Sequence, residues 1–559
     1  MATEEDPSIA PVRSHSMSSQ TEPASLLQPI HMEEGPPART KLRMIAILIA
    51  LYLALFIAAL DATILATSIP TITAQLHSAA GYFWIGAAYL LANAAAAPIW
   101  AKCSDIWGRK PALLAAVAVF AASSLIAALS VNMRMLIAAR ALQGTAGGGL
   151  VQLVNITISD LFSMRSRTLY LGLVEVVWAL AGGLGPILGG AFTELVSWRW
   201  CFYINLPVCG ITFVVLILFL NVHNPRTKLS SGLAAIDWFG MFSVLAVTLL
   251  LLLGLDFGGA IFPWSSPKVI CLIVFGVLMI GFFLFSEKRL AKYPLMPLGM
   301  FKHRSNNAAF AVCFTHGMTF IVAEYYLPLY FQSVKQASPL RSGVLILPIT
   351  LSEAAMGILT AFLIYRTGRY REVIWLGMFL LTLGTGLYIH FDRTSSVAEI
   401  VGFELIGGIG AGFLFEPPLI AIQATVSQAD TATATASFGF IRNIAMAMSI
   451  VIGGVIFQNG MNNRIPYLEA AGLNSTFTKA FSHGEAAASV ELIKEIADVG
   501  QRIAVEAAFA WSLRNMWIAY TVIMVVGLVA SAFIKHNVLS TVHTETQTGI
   551  EKMTKREGA

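Results

Sequence analysis

Residues 101–114 read AKCSDIWGRKPALL, a short charged loop between two apolar stretches, and residues 362–376 repeat its outline as FLIYRTGRYREVIWL. Each copy places a glycine followed by basic residues at the start of an apolar run. Pro111 suits the first turn of a helix, where its missing N–H would have no partner anyway. Gly108 allows a tight turn, and Asp105 can pair with Arg109, with Lys110 or with a nearby helix N-terminus. The competing reading is a merely solvated loop whose charges only set topology.

The stretches flanking this loop are long enough to cross a bilayer, which takes about 20 mostly apolar residues. Runs of that kind lie near 43–67, 82–100, 111–130, 133–157, 168–193, 199–220, 233–254 and 268–286. Six more lie near 306–331, 342–363, 372–390, 398–424, 436–458 and 511–535, a total of fourteen. The whole chain of 559 residues is 57% hydrophobic and 12% charged, with a mean hydropathy of +0.72. Soluble domains are about a quarter charged, so this is an all-α membrane protein in a lipid bilayer. The net charge of +5 comes without a basic cluster interleaved with aromatics, which argues against nucleic acid. Cys103, Cys201, Cys209, Cys271 and Cys313 are scattered in or beside apolar runs and read as small hydrophobes, with no metal or disulfide spacing. Residues 1–42 are polar and rich in Pro, Ser and Glu, a disordered tail, and 536–559 form a second tail.

With the N-terminus inside, the loops after helices 2, 4, 6, 8 and 10 carry fifteen Lys and Arg. The short loops of the other face carry six, so the positive-inside rule puts both termini in the cytoplasm. The long last loop, 459–510, is then outside, with AAASVELIKEIADVGQRIAVEAAFAW able to lie along the interface as a helix. Asn474 stands there in an NST glycosylation sequon, whereas Asn155, in a second sequon, falls inside a helix. The two glycine–basic loops are eight helices apart. Duplicated six-helix halves would place them six apart, so two helices have been inserted. The plan is 6 + 2 + 6: residues 43–221, a linker over 222–304 with helices 7 and 8, and 305–535.

Charges inside a bilayer are costly and tend to face a cavity or a partner. This chain places Asp61, Arg140, Glu175, Glu324, Glu353, Glu404, Glu416 and Arg442 within apolar runs. A carboxylate beside an arginine can alternate between paired and protonated states, as proton coupling requires, and the arginine, which keeps its proton, tunes it. On this reading Asp61 and Arg140 face an aqueous cavity; a fixed structural ion pair is the alternative. Glu404 and Glu416, twelve residues apart, stand about 18 Å apart along one helix. His316 reads as a hydrogen-bonded packing residue. The glycine run AGGLGPILGG at 181–190 lets helices approach closely, and Pro186 removes a backbone hydrogen bond and should kink its helix. That suits either a sliding surface between halves or static packing.

Several of these segments together resemble the major facilitator superfamily, specifically its fourteen-helix drug:proton antiporter group as found in fungi. SDIWGRKP resembles the loop signature of the family, although Ala101 stands where glycine is usual. RALQGTAGGG at 140–149 resembles the helix 4 motif, and AGGLGPILGG, with Gly182, Gly185, Pro186, Gly189 and Gly190, the helix 5 motif of exporters. LDATILATSIP at 60–70, WRWCFYINLP at 198–207 and IDWFG at 236–240 are similar to further signatures of that group. YYLPLYFQ at 325–332 and FEPPLIAIQA at 415–424 resemble its fungal members. The resemblance implies a major facilitator fold and a proton-coupled exporter of a hydrophobic drug, toxin or secondary metabolite. It would act by alternating access, as a monomer in the plasma membrane. Asp61, Arg140, Glu324, Glu353 and Glu416 are its candidate proton-coupling residues, and Asp105, Gly108, Arg109 and Lys110 its conformational loop. Siderophore transport or vacuolar basic amino-acid transport is the alternative, and a non-transporting receptor a more distant one. No P-loop, zinc spacing or nucleophile elbow is present. The expectation is therefore a gradient-driven protein that is not an enzyme and needs no cofactor or metal.

Overall fold

The computed structural model describes residues 41–65, 68, 71–72, 75–76, 81–220, 227–228, 230–231, 237–258, 262–291, 294–296, 298–482, 486–487 and 489–541. The tails 1–40 and 542–559, Pro70 and most of the 221–236 linker lie outside these residues. Among the described residues the chain is helical, with one isolated bridge between Gly258 and Phe262 in place of any strand. Only helices satisfy their own backbone within a segment, which is why apolar runs in hydrocarbon adopt them.

The first half is built from α1 (Lys41–Ile64), α2 (Gly81–Trp107), α3 (Arg109–Ala128), α4 (Met133–Leu161), α5 (Met164–Leu195) and α6 (Asn205–Phe219). Then come α7 (Trp238–Phe257) and α8 (Pro267–Phe285). The second half comprises α9 (Arg304–Ser333), α10 (Leu347–Thr367), α11 (Arg371–Leu387), α12 (Val397–Gly412), α13 (Thr431–Ala470) and α14 (Val499–Ser531). Polar side chains set several starts: Asn132 Oδ1 accepts from the Met135 N–H at 2.9 Å, and Asp237 Oδ1 from the Gly240 N–H at 2.8 Å. Among the described residues thirteen helices are long and apolar enough to span a membrane. The 29-residue α4 is not one of them, because its two arginines, two glutamines and glycines dilute its apolarity.

Within the first half α2 packs along α4, α3 on α4 and α1 on α5; within the second α9 packs on α13 and α14, and α12 on α10 and α11. Contact between halves runs through α5 against α10 and α13 against α2 and α4. α8 leans chiefly on α7 and turns Ile270, Val274, Phe275 and Leu278 outward, as a helix facing acyl chains does.

Three expectations are corrected here. The run 398–424 is not one helix: α12 ends at Gly412, and a short helix, Pro417–Gln423, follows an irregular turn. Pro417 and Pro418 have no N–H to offer the carbonyls of Phe413 and Leu414, so the ladder stops. Glu404 and Glu416 therefore belong to separate helical pieces. The last loop is also shorter than 459–510, since α13 continues to Ala470 and α14 begins at Val499. What remains does not lie along an interface: Phe481, Ile493 and Ile496 are buried with Phe509 and Trp517 in the core of the second half.

Asn474 is exposed and caps the short helix Ser475–Ala480, accepting from the Thr476 and Phe477 N–H groups at 3.0 Å each. Asn155 lies inside α4. Asn474→Gln is expected to remove any N-glycan mobility shift completely, and Asn155→Gln to change nothing. A gel comparison before and after glycosidase treatment checks both, and a shift retained in Asn474→Gln would put the glycan on another residue.

Candidate transport site

Asp61 and Arg140 meet as the sequence leads one to expect, but not beside water. Arg140 Nη1 donates to Asp61 Oδ2 at 2.5 Å, and Asp61 is fully buried. Gln143 Nε2 and Asn205 Nδ2 donate to Asp61 Oδ1 at 2.7 and 3.0 Å. Arg140 also reaches Gln143 Oε1 at 2.7 Å and the Ile85 carbonyl at 3.1 Å, and its guanidinium lies 4.4 Å from the centre of the Tyr89 ring. The expected aqueous exposure is thus corrected. Two helices, α4 and α6, thus supply the three donors that satisfy this carboxylate in a dry interior. Gln143 follows Arg140 by three residues on one helical face, a spacing that could have flagged it. Asn205 carried no comparable sign.

In the loop of residues 101–114, Gly108 has φ +97, a conformation that side chains with a Cβ rarely adopt. Gly368, its counterpart in the second copy, also has a positive φ, +72, but its ψ of 2 against 160 at Gly108 gives a different turn. Arg109 is buried and forks between Asp105 Oδ1 at 2.6 Å and Asp160 Oδ2 at 2.7 Å, with Ser104 Oγ at 2.5 Å. Lys110 instead donates to the Ile217 carbonyl at 2.6 Å, tying α3 to α6. Asp160 was not anticipated, although an anion in the last turn of a helix opposes the dipole and calls for a cation. Ala101 is buried with Ile156 and with Ala432 and Ala436 of α13, so its methyl group stands at the contact between halves.

The glycines of α4 and α5 serve different ends. Gly144 and Gly148 of α4 bring it against the backbone of α2 at Tyr89 and Asn93. In α5, Gly185 abuts Thr63 of α1, Gly189 is buried and its carbonyl accepts from Ser68 Oγ at 3.4 Å, while Gly182 and Gly190 have no atom within 4 Å of a would-be Cβ. α5 stays helical through Pro186. Close approach of the two halves occurs nearer the other end of α5, where Gly172 meets Ala361 and Glu175 packs against Gly357.

The remaining intramembrane charges gather in and beside the second half. Arg442 of α13 donates to the Phe415 carbonyl, one of those freed where the helix breaks, and its guanidinium lies 4.6 Å from the Phe438 ring centre. The Phe415 carbonyl adjoins Glu416 in the chain, so this bond brings Arg442 to the segment that carries that residue. Glu353 Oε1, Glu416 Oε2 and both oxygens of Glu404 have no hydrogen-bond partner. Glu324 is approached by Thr350 Oγ1 at 3.4 Å. His316 is corrected from a hydrogen-bonded residue to an aromatic one. Neither ring nitrogen is partnered, and the ring stands edge-on to Phe415 at 4.8 Å.

Cross-half hydrogen bonds cluster at the end of the bundle that carries the repeated loops. Arg165 Nε donates to the Tyr365 carbonyl at 2.7 Å, Arg167 to Gln423 and Gln428 at 3.2 and 2.9 Å, and Gln423 Nε2 to Ser159 Oγ at 3.2 Å. Farther along, Asn443 Nδ2 donates to Asn93 Oδ1 at 3.3 Å. Gly182, Gly183 and Gly190, toward the opposite end of α5, face open space. The bundle is closed at the end that carries the repeated loops.

Two packed helical halves around buried charges, with one closed end, define a membrane transporter. The profile of the Major Facilitator Superfamily matches residues 51–450, and the chain belongs to that family. It is 46% identical over 490 residues to the efflux pump dotC of Dothistroma septosporum, covering 88% of this chain and 84% of the pump. It is 45% identical over 514 residues to the MFS-type transporter ppz2 of Metarhizium majus, covering 92% and 88%. The fold is similar to that of the human organic anion transporter MFSD10 (TETRAN), with a TM-score of 0.57 at 16% identity over 87% of this chain and 99% of that one.

Proposed function

We propose that this protein is a proton-coupled exporter of a hydrophobic small molecule, a toxin or secondary metabolite, in the plasma membrane. Residues 43–221 rock against 305–535 about a site near the bilayer midplane, with 222–304 as a peripheral linker. Fourteen spans with both termini in the cytoplasm would make the closed end the cytoplasmic one, and this conformation an outward-facing one. The kinship with efflux pumps supports the direction of transport. The observation that carries the mechanism is that Arg442 donates to the Phe415 carbonyl, next to Glu416, while Glu175 of the first half packs across onto Gly357 of the second; on this reading Arg442 is shared by the two carboxylates. An arginine shared in this way favours one conformation when a carboxylate is ionised and releases it on protonation. Glu416, with Glu353 and Glu324 behind it, is the favoured coupling residue. Asp61 and Arg140, walled off within the first half, act by fixing α1 to α4.

Glu416→Gln keeps the shape of the side chain but cannot exchange a proton. In inside-out vesicles loaded by an imposed pH gradient, uphill accumulation of a fluorescent apolar dye is expected to fall at least tenfold. Dye equilibration down its own gradient should persist. Wild-type uphill transport in Glu416→Gln would reject this residue, and unchanged wild-type accumulation after collapse of the pH gradient would reject proton coupling altogether.

A further inference from the structure

The chain beyond α14 does not leave the protein at once. Ile534 and Leu539 are buried in the main hydrophobic core although neither lies in a helix. The Lys535 N–H donates to Ser305 Oγ at 3.0 Å, its carbonyl accepts from Tyr370 OH at 2.9 Å, and the Asn537 N–H donates to the same hydroxyl at 2.8 Å. These contacts fasten the strap to the second half. Three residues on, the Ser540 carbonyl accepts from the Arg165 N–H of the first half at 3.2 Å. Arg165 and Arg167 are the residues whose side chains already join the halves at this end. A cavity of about 240 Å³ sits at the junction, lined by Arg167, Gln423 and Gln428 together with Val538 and Ser540.

We infer that residues 538–541 form a latch that holds the two halves together at the closed end, anchored to the second half and released from the first when that end opens. The asymmetry is in the attachments. Three hydrogen bonds and Ile534 secure residues 534–537 to elements of the second half, and these survive any rigid-body separation. The Ser540–Arg165 bond does not, so it favours the closed state alone, as does any contact of Leu539 with the first half. An interaction present in one of two states shifts their populations by its own free energy. The latch rests on the alternating-access reading, but its test needs no cargo, so failure of one is separable from failure of the other.

The measurement is amide hydrogen exchange on the full chain in lipid nanodiscs, comparing wild type with Leu539→Ser and with a truncation after Asn537. Exchange over 159–167 and over 423–431 is expected to rise about three- to tenfold, the range a lost hydrogen bond supports. Residues 475–481, at the far end, should be unchanged. Leu539→Met and a truncation after Thr541 should behave as wild type, and they keep the test informative if the shorter truncation fails to insert. A rise confined to the Arg165 amide and to the neighbourhood of Ser305 and Tyr370 would mean local fraying and overturn the latch. So would no change at all, or an equal rise on truncation after Thr541.

Discussion

Asp61→Ala is expected to cost about 3–5 kcal/mol of stability, because it strands a buried arginine without its counter-charge. Arg140 is 2% exposed and its other partners, Gln143, the Ile85 carbonyl and the Tyr89 ring, are all neutral. Gln143 and Asn205 would lose their shared acceptor at the same time. Asp61→Asn keeps one oxygen but turns an amide toward these donors, and should fall between wild type and Asp61→Ala. The paired change Asp61→Leu with Arg140→Met should recover much of the loss, since replacing a whole buried ion pair by apolar side chains is far cheaper than breaking it. Thermal unfolding of purified protein in detergent, with yield from membranes, reads all three. An Asp61→Ala protein that melts within about 2 °C of wild type would show that Arg140 gains water or another partner.

That pair shows how far the sequence could be read. One acidic and one basic residue in separate apolar runs had to find each other, because hydrocarbon penalises either alone. The Asp105–Arg109 pairing was similarly accessible from a four-residue spacing. What lies around them was not, since Ser124 and Asn205 reach Gln143 and Asp61 only through the packing of α3 and α6 against α1 and α4. The end of α12 was written in Pro417 and Pro418, which hydropathy averages away. The continuation of α13 through NNRIPYLEA was hidden for the opposite reason, because polarity there marks exit from the bilayer and not the end of the helix. Arg442 was visible as a charge, but its bond to the Phe415 carbonyl depends on the break in the chain after α12.

Gly144→Val is expected to be the most disruptive single change in the α2–α4 contact. A Cβ at this position would meet the Tyr89 carbonyl oxygen and stand 2.7 Å from the Tyr89 Cα, both backbone atoms that no rotamer change can move. Overpacking of that kind costs about 1–3 kcal/mol where side chains can yield, and more where helices must part. It also displaces Tyr89 from the guanidinium of Arg140 and so loosens the buried network. Gly183→Ala is the matched control, with no atom within 4 Å of its Cβ, and it should be neutral or gain up to about 1 kcal/mol of helix propensity. Monodisperse yield on size exclusion and melting temperature separate the two. A Gly144→Val protein as stable as Gly183→Ala would mean that α2 and α4 pack less closely than described.

The 40 residues of α13 would span about 60 Å at 1.5 Å per residue, roughly twice the hydrocarbon thickness of a bilayer. α14 runs beside it for 33 residues, and Phe457 and Met461 of α13 are buried with Phe509 and Leu513 of α14. A braced pair of this length is a lever arm. Swung about a pivot near the midplane, a tip roughly 40 Å away moves about 7 Å for a 10° rotation, whereas the charges at the centre shift by little more than an ångström. Large motion and chemistry are thereby separated in space. The projecting end at Ala470 and Gly472 is the natural place for a distance label, a conformation-selective antibody or a tether that restrains the pair without touching the buried charges at its centre.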